Sequence, residues 1–336
     1  MQLILKLSHK WGCMKLYCDD GSTNVKLAWF DKQALQTKLS TNSFKKGWKI
    51  EGLGGKGTFN YELDGQKFTY DEVSEQAIRT THIEYQYTDA NVLAIHHALL
   101  SSELEPQDVD LVVTLPISEF YTADCQKNEL NIQRKIENVL RSVKLNKGIT
   151  FTIKDVEVMP ESLPAVLTQL VNDNVGEFEK SLVIDLGGTT LDVGVIVGQF
   201  DGVSAIHGNS EIGVSMVTQA ALSALKMASS DTSALVADEL IKQRHNDQFV
   251  RQIVNDESKI PLVLETIDSA IKQLGERVVD ELSQFKNVNR IYLVGGGAPL
   301  IEPAIRKAWC LINDKITLLD SPQTALVEAI AYFKED

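Results

Sequence analysis

Two stretches of the chain share one pattern of apolar segments around a short glycine-containing turn. Residues 181–197 read Ser-Leu-Val-Ile-Asp-Leu-Gly-Gly-Thr-Thr-Leu-Asp-Val-Gly-Val-Ile-Val. The Val- and Ile-rich arms on both sides of this turn are typical of strands buried in a sheet. Residues 15–29 show the same pattern: an apolar strand, the turn Asp-x-Gly-x-Thr and a second strand. The pattern therefore predicts two hairpins of the same design.

The rest of the chain mixes helical and strand patterns. Apolar positions at helical spacing predict helices after Thr88 and over residues 128–143, 212–222, 229–243, 246–256, 262–285 and 322–333. Apolar runs predict strands over residues 109–116, 151–158, 202–207, 289–294 and 316–319. Residues 59–70 alternate around Asp64-Gly65, which predicts a hairpin, and Gly52, Gly54, Gly55 and Gly57 predict a loop over residues 43–58. This mixture predicts an α/β fold.

The two turns align residue by residue. Asp19 matches Asp185, Gly21 matches Gly187 and Thr23 matches Thr189, each pair 166 residues apart. This spacing is close to the size of one ordinary domain, so we expect two related α/β domains. We place domain I at residues 14–172 plus about 322–336 and domain II at residues 173–321. Residues 1–13 precede the first strand as an N-terminal extension that we expect to be dispensable for activity.

The turns have the chemistry of a phosphate site. Gly187 and Gly188 let backbone N–H groups approach a charged ligand closely, and Thr189 and Thr190 add hydroxyls. The Asp185 carboxylate repels phosphate, so it fits such a site only with a cation between them, most simply Mg2+ with its waters. A plain hairpin with a glycine turn is the structural alternative. The repetition favours two hairpins that hold a triphosphate from both sides, whereas the single P-loop motif is absent.

A glycine run supplies a third element. The strand predicted at residues 289–294 is followed by Gly295, Gly296 and Gly297 and then by a helix start with Pro299. A strand, glycines and a helix in this order allow a nucleotide to approach the backbone. A Rossmann dinucleotide site is disfavoured, because its glycine motif opens an early βαβ unit and this run lies near the chain end.

These motifs, in this order, resemble the phosphate-1, phosphate-2 and adenosine motifs of the superfamily of actin, sugar kinases and heat-shock chaperone ATPases. Residues 19–26, 91–100, 151–162 and 213–218 further resemble the ParM/StbA family of actin-like plasmid segregation ATPases. The resemblance runs from about Met14 to near the C-terminus. It implies an actin-like ATPase fold, in which two related α/β domains enclose a nucleotide cleft.

The resemblance also implies a ligand set. The cofactors are ATP, with GTP left open, and Mg2+, which Asp19 and Asp185 are expected to hold through water. The nucleotide-binding residues are expected in both turns and the glycine run: Asp19, Asp20, Gly21, Ser22, Thr23, Asn24, Lys26, Gly187, Gly188, Thr189, Thr190, Gly295, Gly296 and Gly297.

Three acids are candidates for catalysis. Glu161 follows the strand predicted at residues 151–158 and is expected under the phosphate site, where a carboxylate one water away from the γ-phosphate orients the attacking water. The structural alternative is an acid that complements the dipole of a helix first turn. Asp192 competes with Glu161 for the water-positioning role, and Asp185 is expected to act through the metal.

The composition and charge of the chain indicate which partners it binds and in which compartment it works. The net charge of −13 disfavours direct binding to DNA, which needs a basic surface, so any link to DNA is expected to pass through an adaptor. The resemblance implies that this adaptor is of the ParR kind and connects the protein to plasmid centromere DNA. The family also implies that the chain polymerises with itself. No apolar run approaches the roughly 20 residues of a membrane span, and Lys6 interrupts an opening segment too short for a secretory signal. The four cysteines lack metal-ligand spacing, so we read them as free thiols in a bacterial cytoplasm.

Two further function classes share these hairpins. A small-molecule kinase would place a substrate hydroxyl or carboxylate where the ATPase places water, and no sugar-recognition motif is evident in the sequence. A chaperone-type switch would need a separate peptide-binding partner. The leading hypothesis is a filament-forming ATPase that segregates plasmid DNA, with ATP hydrolysis controlling the stability of the filament.

Overall fold

The computed structural model describes residues 13–51, 58–122, 124 and 126–335. The predicted N-terminal extension lies outside the described residues except for Cys13. Among the described residues, Cys13, Cys18 and Cys310 form no disulfide.

The N-terminal part of the chain forms what we call the first lobe. Its strands and helices are β1 (Met14–Asp20), β2 (Asn24–Asp31), β3 (Ala34–Thr41), β4 (Phe44–Lys46), β5 (Asn60–Leu63), β6 (Gln66–Tyr70), α1 (Asp89–Ser101), β7 (Asp108–Leu115), α2 (Ile117–Phe120), α3 (Glu129–Val139), β8 (Val143–Leu145), β9 (Thr152–Pro160) and α4 (Leu167–Asn172). Two 3-10 turns, Ile83–Tyr87 and Leu163–Val166, complete it.

The remainder forms the second lobe. Its elements are β10 (Lys180–Leu186), β11 (Leu191–Val197), β12 (Gly202–Asn209), α5 (Ser215–Met227), α6 (Ala234–Lys242), α7 (Asp247–Ile253), α8 (Ile260–Glu281), β13 (Arg290–Val294), α9 (Ala298–Ala308) and β14 (Ile316–Leu318), and α10 (Ala325–Glu335) follows them in sequence. Short 3-10 turns lie at Glu257–Lys259, Leu282–Phe285 and Cys310–Lys315.

The two lobes are built on sheets of the same topology. The first sheet has the order β3-β2-β1-β7-β9 and the second has the order β12-β11-β10-β13-β14. In each sheet the central strand pairs antiparallel with the hairpin strand that follows it and parallel with a later strand. The repeat of the two turns therefore extends to a whole sheet, as expected for two related α/β domains.

The central strands are buried on both faces, which accounts for their near-continuous apolar sequences. On one face of the second sheet, Ile184 and Leu293 pack into a core with α5, α8 and α9. On the other face, Val183 and Tyr292 join Tyr17 of the first sheet in a cluster that both lobes share. The apolar contact between the lobes fixes the relative position of the hairpins.

Helix α10 follows the second lobe in sequence but packs on β1 and β2 of the first sheet. Tyr17 on β1 donates a hydrogen bond from its hydroxyl to Glu335 Oε1 at 2.8 Å. Phe30 on β2 makes an edge-to-face contact with Tyr332, with ring centroids 5.7 Å apart. The chain thus crosses between the lobes twice.

A third sheet, of order β4-β6-β5-β8, lies on the outside of the first lobe. The hairpin predicted around Asp64-Gly65 is confirmed, because both residues take positive φ, 49° and 77°, and join β5 to β6. The buried His97 packs beneath this sheet and its Nδ1 lies 2.8 Å from the Tyr61 hydroxyl.

Two element predictions were wrong in part. Residues 44–46 of the predicted loop form strand β4, which pairs with β6, while residues 52–57 lie outside the described residues. The helix predicted over residues 128–143 ends at Val139, and Val143 begins strand β8, which pairs with β5.

Candidate nucleotide site

The β1–β2 and β10–β11 hairpins face each other across one crevice between the lobes. Ser22 Oγ of the first turn lies 2.7 Å from Thr189 Oγ1 of the second, and both side chains are buried. A Cβ added at Gly188 would lie 2.6 Å from Thr23 Cγ2, so the backbones approach as closely as they do because no side chain stands at Gly188. The two predicted turns therefore form the two sides of one site.

A cavity of about 380 Å3 opens at this crevice. Its walls include fifteen of the predicted site residues: Asp19, Gly21, Ser22, Thr23, Asn24, Lys26, Glu161, Asp185, Gly187, Gly188, Thr189, Thr190, Gly295, Gly296 and Gly297. The volume falls in the range of small-molecule and cofactor sites. The structure thus brings together residues from both hairpins and from the glycine run.

The glycine run allows close packing of β13 against β10. Gly295 has φ +85°, and a Cβ there would collide with Asp185 Oδ1 and the Leu186 carbonyl oxygen. Gly297 donates its N–H to that Leu186 oxygen at 2.9 Å, and Gly295 donates to Pro322 O at 3.0 Å. The run therefore holds the Asp185 strand end next to the start of α9.

Buried acids dominate the electrostatics of the cavity. Burial, together with the nearby Asp192 and Asp19 carboxyls, raises the pKa of Asp185 to about 7. Burial and then the Asp19, Asp192 and Asp185 charges raise the pKa of Glu161 well above its usual value. Burial also raises the pKa of Asp19, against the effect of Lys26. This concentration of acid favours a bound cation.

Lys26 brings positive charge into the same space. Its Nζ lies 2.9 Å from Asp19 Oδ2. Burial alone would lower its pKa. The negative charge and hydrogen bond of Asp19, together with the charges of Glu161 and Asp185, outweigh burial and raise the pKa. An ammonium group and several hydroxyls beside the glycine turns suit the oxygens of a polyphosphate.

The donor set fits Mg2+ held through water. Within the described residues, no group of three His, Cys, Asp or Glu side chains could hold a metal ion directly. Asp19 and Asp185 nevertheless both line the cavity, and Mg2+ usually keeps several waters and takes one or two carboxylates plus phosphate oxygens. Two carboxylates beside a phosphate site supply that set.

Asp20 does not line the cavity, which corrects its assignment as a nucleotide contact. Its fully buried carboxylate pairs with the equally buried Lys135, accepts a hydrogen bond from Asn91 Nδ2 at 2.5 Å and accepts the Thr114 N–H at 3.2 Å. Lys135 also contacts Gln86 Oε1. Asp20 therefore anchors the first turn to α1, α3 and β7 from beneath.

Asp192 also does not line the cavity. Its Oδ1 accepts the N–H of Ile117, on the first lobe, at 3.2 Å, and its carboxyl is buried. Burial raises its pKa to about 6, against the hydrogen bonds from Thr190, Ile117 and Ser118. Of the two candidates for orienting water, Glu161 lines the cavity and Asp192 joins the lobes.

The rest of the cavity was not predicted from the sequence. It is lined by His82, Ile83, Tyr85, Gln86, Pro116, Val214, Asp238, Ile241, Lys242, Arg244, Val294, Pro299, Leu300, Pro322, Gln323 and Leu326. Asp238 accepts a hydrogen bond from Thr218 Oγ1, and burial raises its pKa to about 6. Helix α6 supplies several of these residues, and only its amphipathic pattern, with one face toward the cavity, signals them in the sequence.

The lobes touch again at the start of α6. Ser233 Oγ donates to the Glu72 carbonyl oxygen at 2.6 Å and accepts the Val236 N–H at 3.2 Å as the N-cap of α6.

None of the helices in the described parts has the length and apolar character of a membrane span.

The family models agree with this geometry. The model of plasmid segregation protein ParM, N-terminal, matches residues 14–172, and the model of plasmid segregation protein ParM, C-terminal, matches residues 175–333. A search of curated proteins finds no significant match.

Solved structures resemble the chain over almost its full length. A 15-stranded ParM filament from Clostridium botulinum is 13% identical with a TM-score of 0.71, covering 96% of this chain and 99% of that one. An archaeal actin homologue, Ta0583, in complex with ADP is 16% identical with a TM-score of 0.68 and the same coverage. An AlfA filament from a Bacillus subtilis plasmid is 14% identical with a TM-score of 0.54 and the same coverage. These likenesses show an actin-like fold, and together with the two family models they establish that the chain belongs to the ParM/StbA family of actin-like plasmid segregation filament proteins.

Proposed function

We propose that this protein binds ATP with Mg2+ between its lobes, polymerises in the ATP-bound state and hydrolyses ATP to ADP and phosphate, which weakens the filament. One observation supports this proposal above the others. The two acidic turns, separated by 166 residues in sequence, meet in one cavity and are joined by Ser22 and Thr189.

The turns have separate roles in binding. Backbone N–H groups and hydroxyls of residues 21–24 and 187–190 surround the phosphates from both lobes, and Lys26 contributes a positive charge. When bound, Mg2+ neutralises charge on the phosphate oxygens. Asp19 and Asp185 would hold it through water, and the part of the cavity lined by α6 takes the nucleoside. GTP is the second candidate nucleotide, because it carries the same triphosphate that the two turns bind.

Glu161 orients the attacking water. It lines the cavity next to Asp185, and Thr114 Oγ1 donates to its Oε1 at 3.5 Å. A carboxyl with a raised pKa is suited to accept the proton that water loses. Asp192 is the weaker candidate because its carboxylate already accepts the Ile117 N–H.

Hydrolysis acts on the polymer through the angle between the lobes. The Ser22–Thr189 and Ser233–Glu72 contacts and the shared apolar cluster all join the lobes, so a ligand that binds both turns favours the closed arrangement. A tenfold change in subunit affinity needs only about 1.4 kcal/mol. Loss of one phosphate from a site shared by both lobes is enough to supply such a difference.

The cargo is attached indirectly. The net charge of −13 does not favour direct DNA contact, so a DNA-binding adaptor of the ParR kind at the filament end links the polymer to the plasmid centromere. The process belongs in the bacterial cytoplasm, as the family implies.

Electron microscopy and phosphate release test the proposal together. With ATP and Mg2+ but no further substrate, we expect phosphate release and a rise in light scattering, and with a non-hydrolysable ATP analogue we expect persistent filaments. A small-molecule kinase would show neither strongly. Nucleotide binding without filaments under any nucleotide would contradict the proposal.

A further inference from the structure

A strained turn follows Glu161. Ser162 has φ 73° and ψ −66°, and the Leu163 N–H donates to the Glu161 carbonyl oxygen at 2.9 Å. These values define the classic γ-turn, which is rare and strained for a residue with a side chain. Such a conformation persists only where the surroundings enforce it.

The Ser162 side chain does not enforce it. Ser162 is fully buried, and its hydroxyl lies beside the Asp185 carboxyl, lowering that group's pKa, without making a hydrogen bond of normal geometry among the described residues. The strain must therefore be balanced by the residues on either side.

On the N-terminal side the first lobe holds the turn. The Glu161 N–H donates to the Leu115 carbonyl oxygen of β7 at 2.9 Å. On the C-terminal side the second lobe holds it. Leu163 fills the space over Gly194 of β11, where an added Cβ would overlap the Leu163 side chain, and it packs in the cluster shared by the lobes. The turn is thus clamped between the two lobes.

The direction of the Glu161 side chain depends on this backbone. Among the described residues, its carboxyl receives a long hydrogen bond from Thr114 alone, and it is repelled by the neighbouring Asp19, Asp192 and Asp185 charges. Side-chain contacts of this strength do not fix a rotamer, so the orientation of Glu161 follows from the backbone angles of the turn.

We propose that Ser162 is a positioning residue, because its strained turn is maintained only while Leu163 is seated against Gly194, so that closure of the lobes fixes Glu161 in the cavity. The inference rests on the proposed role of Glu161 in hydrolysis. When the lobes separate, Leu163 leaves Gly194, the turn relaxes to negative φ and Glu161 moves away from the phosphate site. Hydrolysis is thereby restricted to the closed state.

A double-mutant cycle tests the coupling. We expect Leu163→Ala to lower kcat for phosphate release about tenfold at equal polymer mass, with KM for ATP within about twofold. In a Ser162→Gly background, the same substitution is expected to lower kcat by at most about twofold, because glycine takes positive φ without strain. Gly194→Ala, which displaces Leu163 from the second lobe, is expected to be rescued in the same way.

Leu170→Ala is the matched control. Leu170 is fully buried in the same shared cluster but lies outside the turn, so Ser162→Gly is expected to leave its kcat loss unchanged. An equal loss for Leu163→Ala in both backgrounds, with melting temperatures showing folded protein, overturns the inference.

Glu161→Ala distinguishes failure of the proposed catalytic role of Glu161 from failure of the proposed coupling through Ser162. If this variant keeps wild-type turnover, the proposed role of Glu161 fails and the inference fails with it. If it loses turnover while Ser162→Gly gives no rescue, only the inference is overturned.

Discussion

Ser22 and Thr189, 167 residues apart in sequence, place their hydroxyl oxygens 2.7 Å apart at the point where the two lobes meet. Each hydroxyl belongs to one of the two phosphate turns, and both side chains are at least nine-tenths buried. Because this contact exists only while the lobes are closed, it ties the geometry of the phosphate site to the arrangement of the whole molecule.

We expect a coupling free energy between these two residues. Ser22→Ala and Thr189→Val should each speed the release of a fluorescent ADP analogue. The acceleration in the double variant should be smaller than the product of the two single accelerations. The shortfall should be about fivefold, since a buried neutral hydrogen bond contributes about 1 kcal/mol. Asn246→Ala, which removes the N-cap of α7 in the second lobe, serves as the control. Fully additive effects would show that the hydroxyl contact does not hold the lobes together.

The contact between Ser233 and Glu72, which also joins the lobes, should slow nucleotide release as well. Ser233→Asp keeps the N-cap acceptor of α6 but cannot donate to the Glu72 carbonyl, and its charge is repelled there. We expect the release of the ADP analogue to become about five- to tenfold faster, with little change in melting temperature. Ser233→Thr keeps both contacts and should restore the slow rate. Asn246→Asp changes a cap whose side-chain hydrogen bonds, within the described part of the chain, stay in the second lobe, so an equal acceleration there would contradict the interpretation.

The hairpins and the glycine run could be predicted from sequence because their signals are local. Each is a short apolar strand joined to glycines, and the glycines at 188 and 295 occupy positions where a side chain would collide. The repeat of Asp19 at Asp185 also predicted two related domains, and the structure adds that their two sheets have the same strand order.

Asp20 shows why part of the site was misassigned. Successive residues of a strand point to opposite faces, so Asp19 and Asp20 cannot both reach the nucleotide. Alternation could have supplied this correction, but the partner that explains Asp20 is Lys135, which lies 115 residues further along the chain. The three-residue strands β4 and β8 were missed for a related reason, because each is defined by pairing with distant strands and has almost no pattern of its own.

Glu161→Gln should separate binding from hydrolysis. The amide preserves the size of the side chain but cannot take a proton from water, so we expect phosphate release to slow by about two orders of magnitude. Nucleotide affinity and polymerisation should remain, and filaments should persist after ATP addition. Light scattering followed in parallel with phosphate release checks this prediction. Asp192→Asn provides the comparison, and a larger loss of kcat in that variant at unchanged ATP affinity would transfer the water-positioning role to Asp192.

Asp185→Ala should affect metal-dependent binding itself. Asp185 lines the cavity at the end of β10, and a Cβ added at Gly295 would collide with its Oδ1. We expect ATP affinity to lose most of its dependence on Mg2+, while affinity measured in EDTA changes little. Titration of ATP binding against Mg2+ checks this. An unchanged Mg2+ dependence would remove Asp185 from the metal site.

Asp238 should contribute a measurable pH dependence to stability. Its side chain is partly open to the cavity yet surrounded by protein, and burial raises its pKa to about 6 although Thr218 and Lys242 act in the opposite direction. Because the folded-state pKa lies above the unfolded value of 3.8, the stability it contributes is complete below that value and is lost as pH rises through about 6. Asp238→Asn removes this titration and lets Thr218 continue to donate.

The melting temperature of the nucleotide-free protein, measured at pH 5 and pH 7.5, checks this prediction. We expect the difference in melting temperature, Asn variant minus wild type, to be about 2 °C larger at pH 7.5 than at pH 5. The effect is this small because solvent at the cavity wall screens part of it. The other buried acids of the cavity titrate in both proteins and cancel in the difference. A gap that is constant with pH, or one that narrows as pH rises, would show that the Asp238 carboxyl is not destabilised by ionisation in the folded protein.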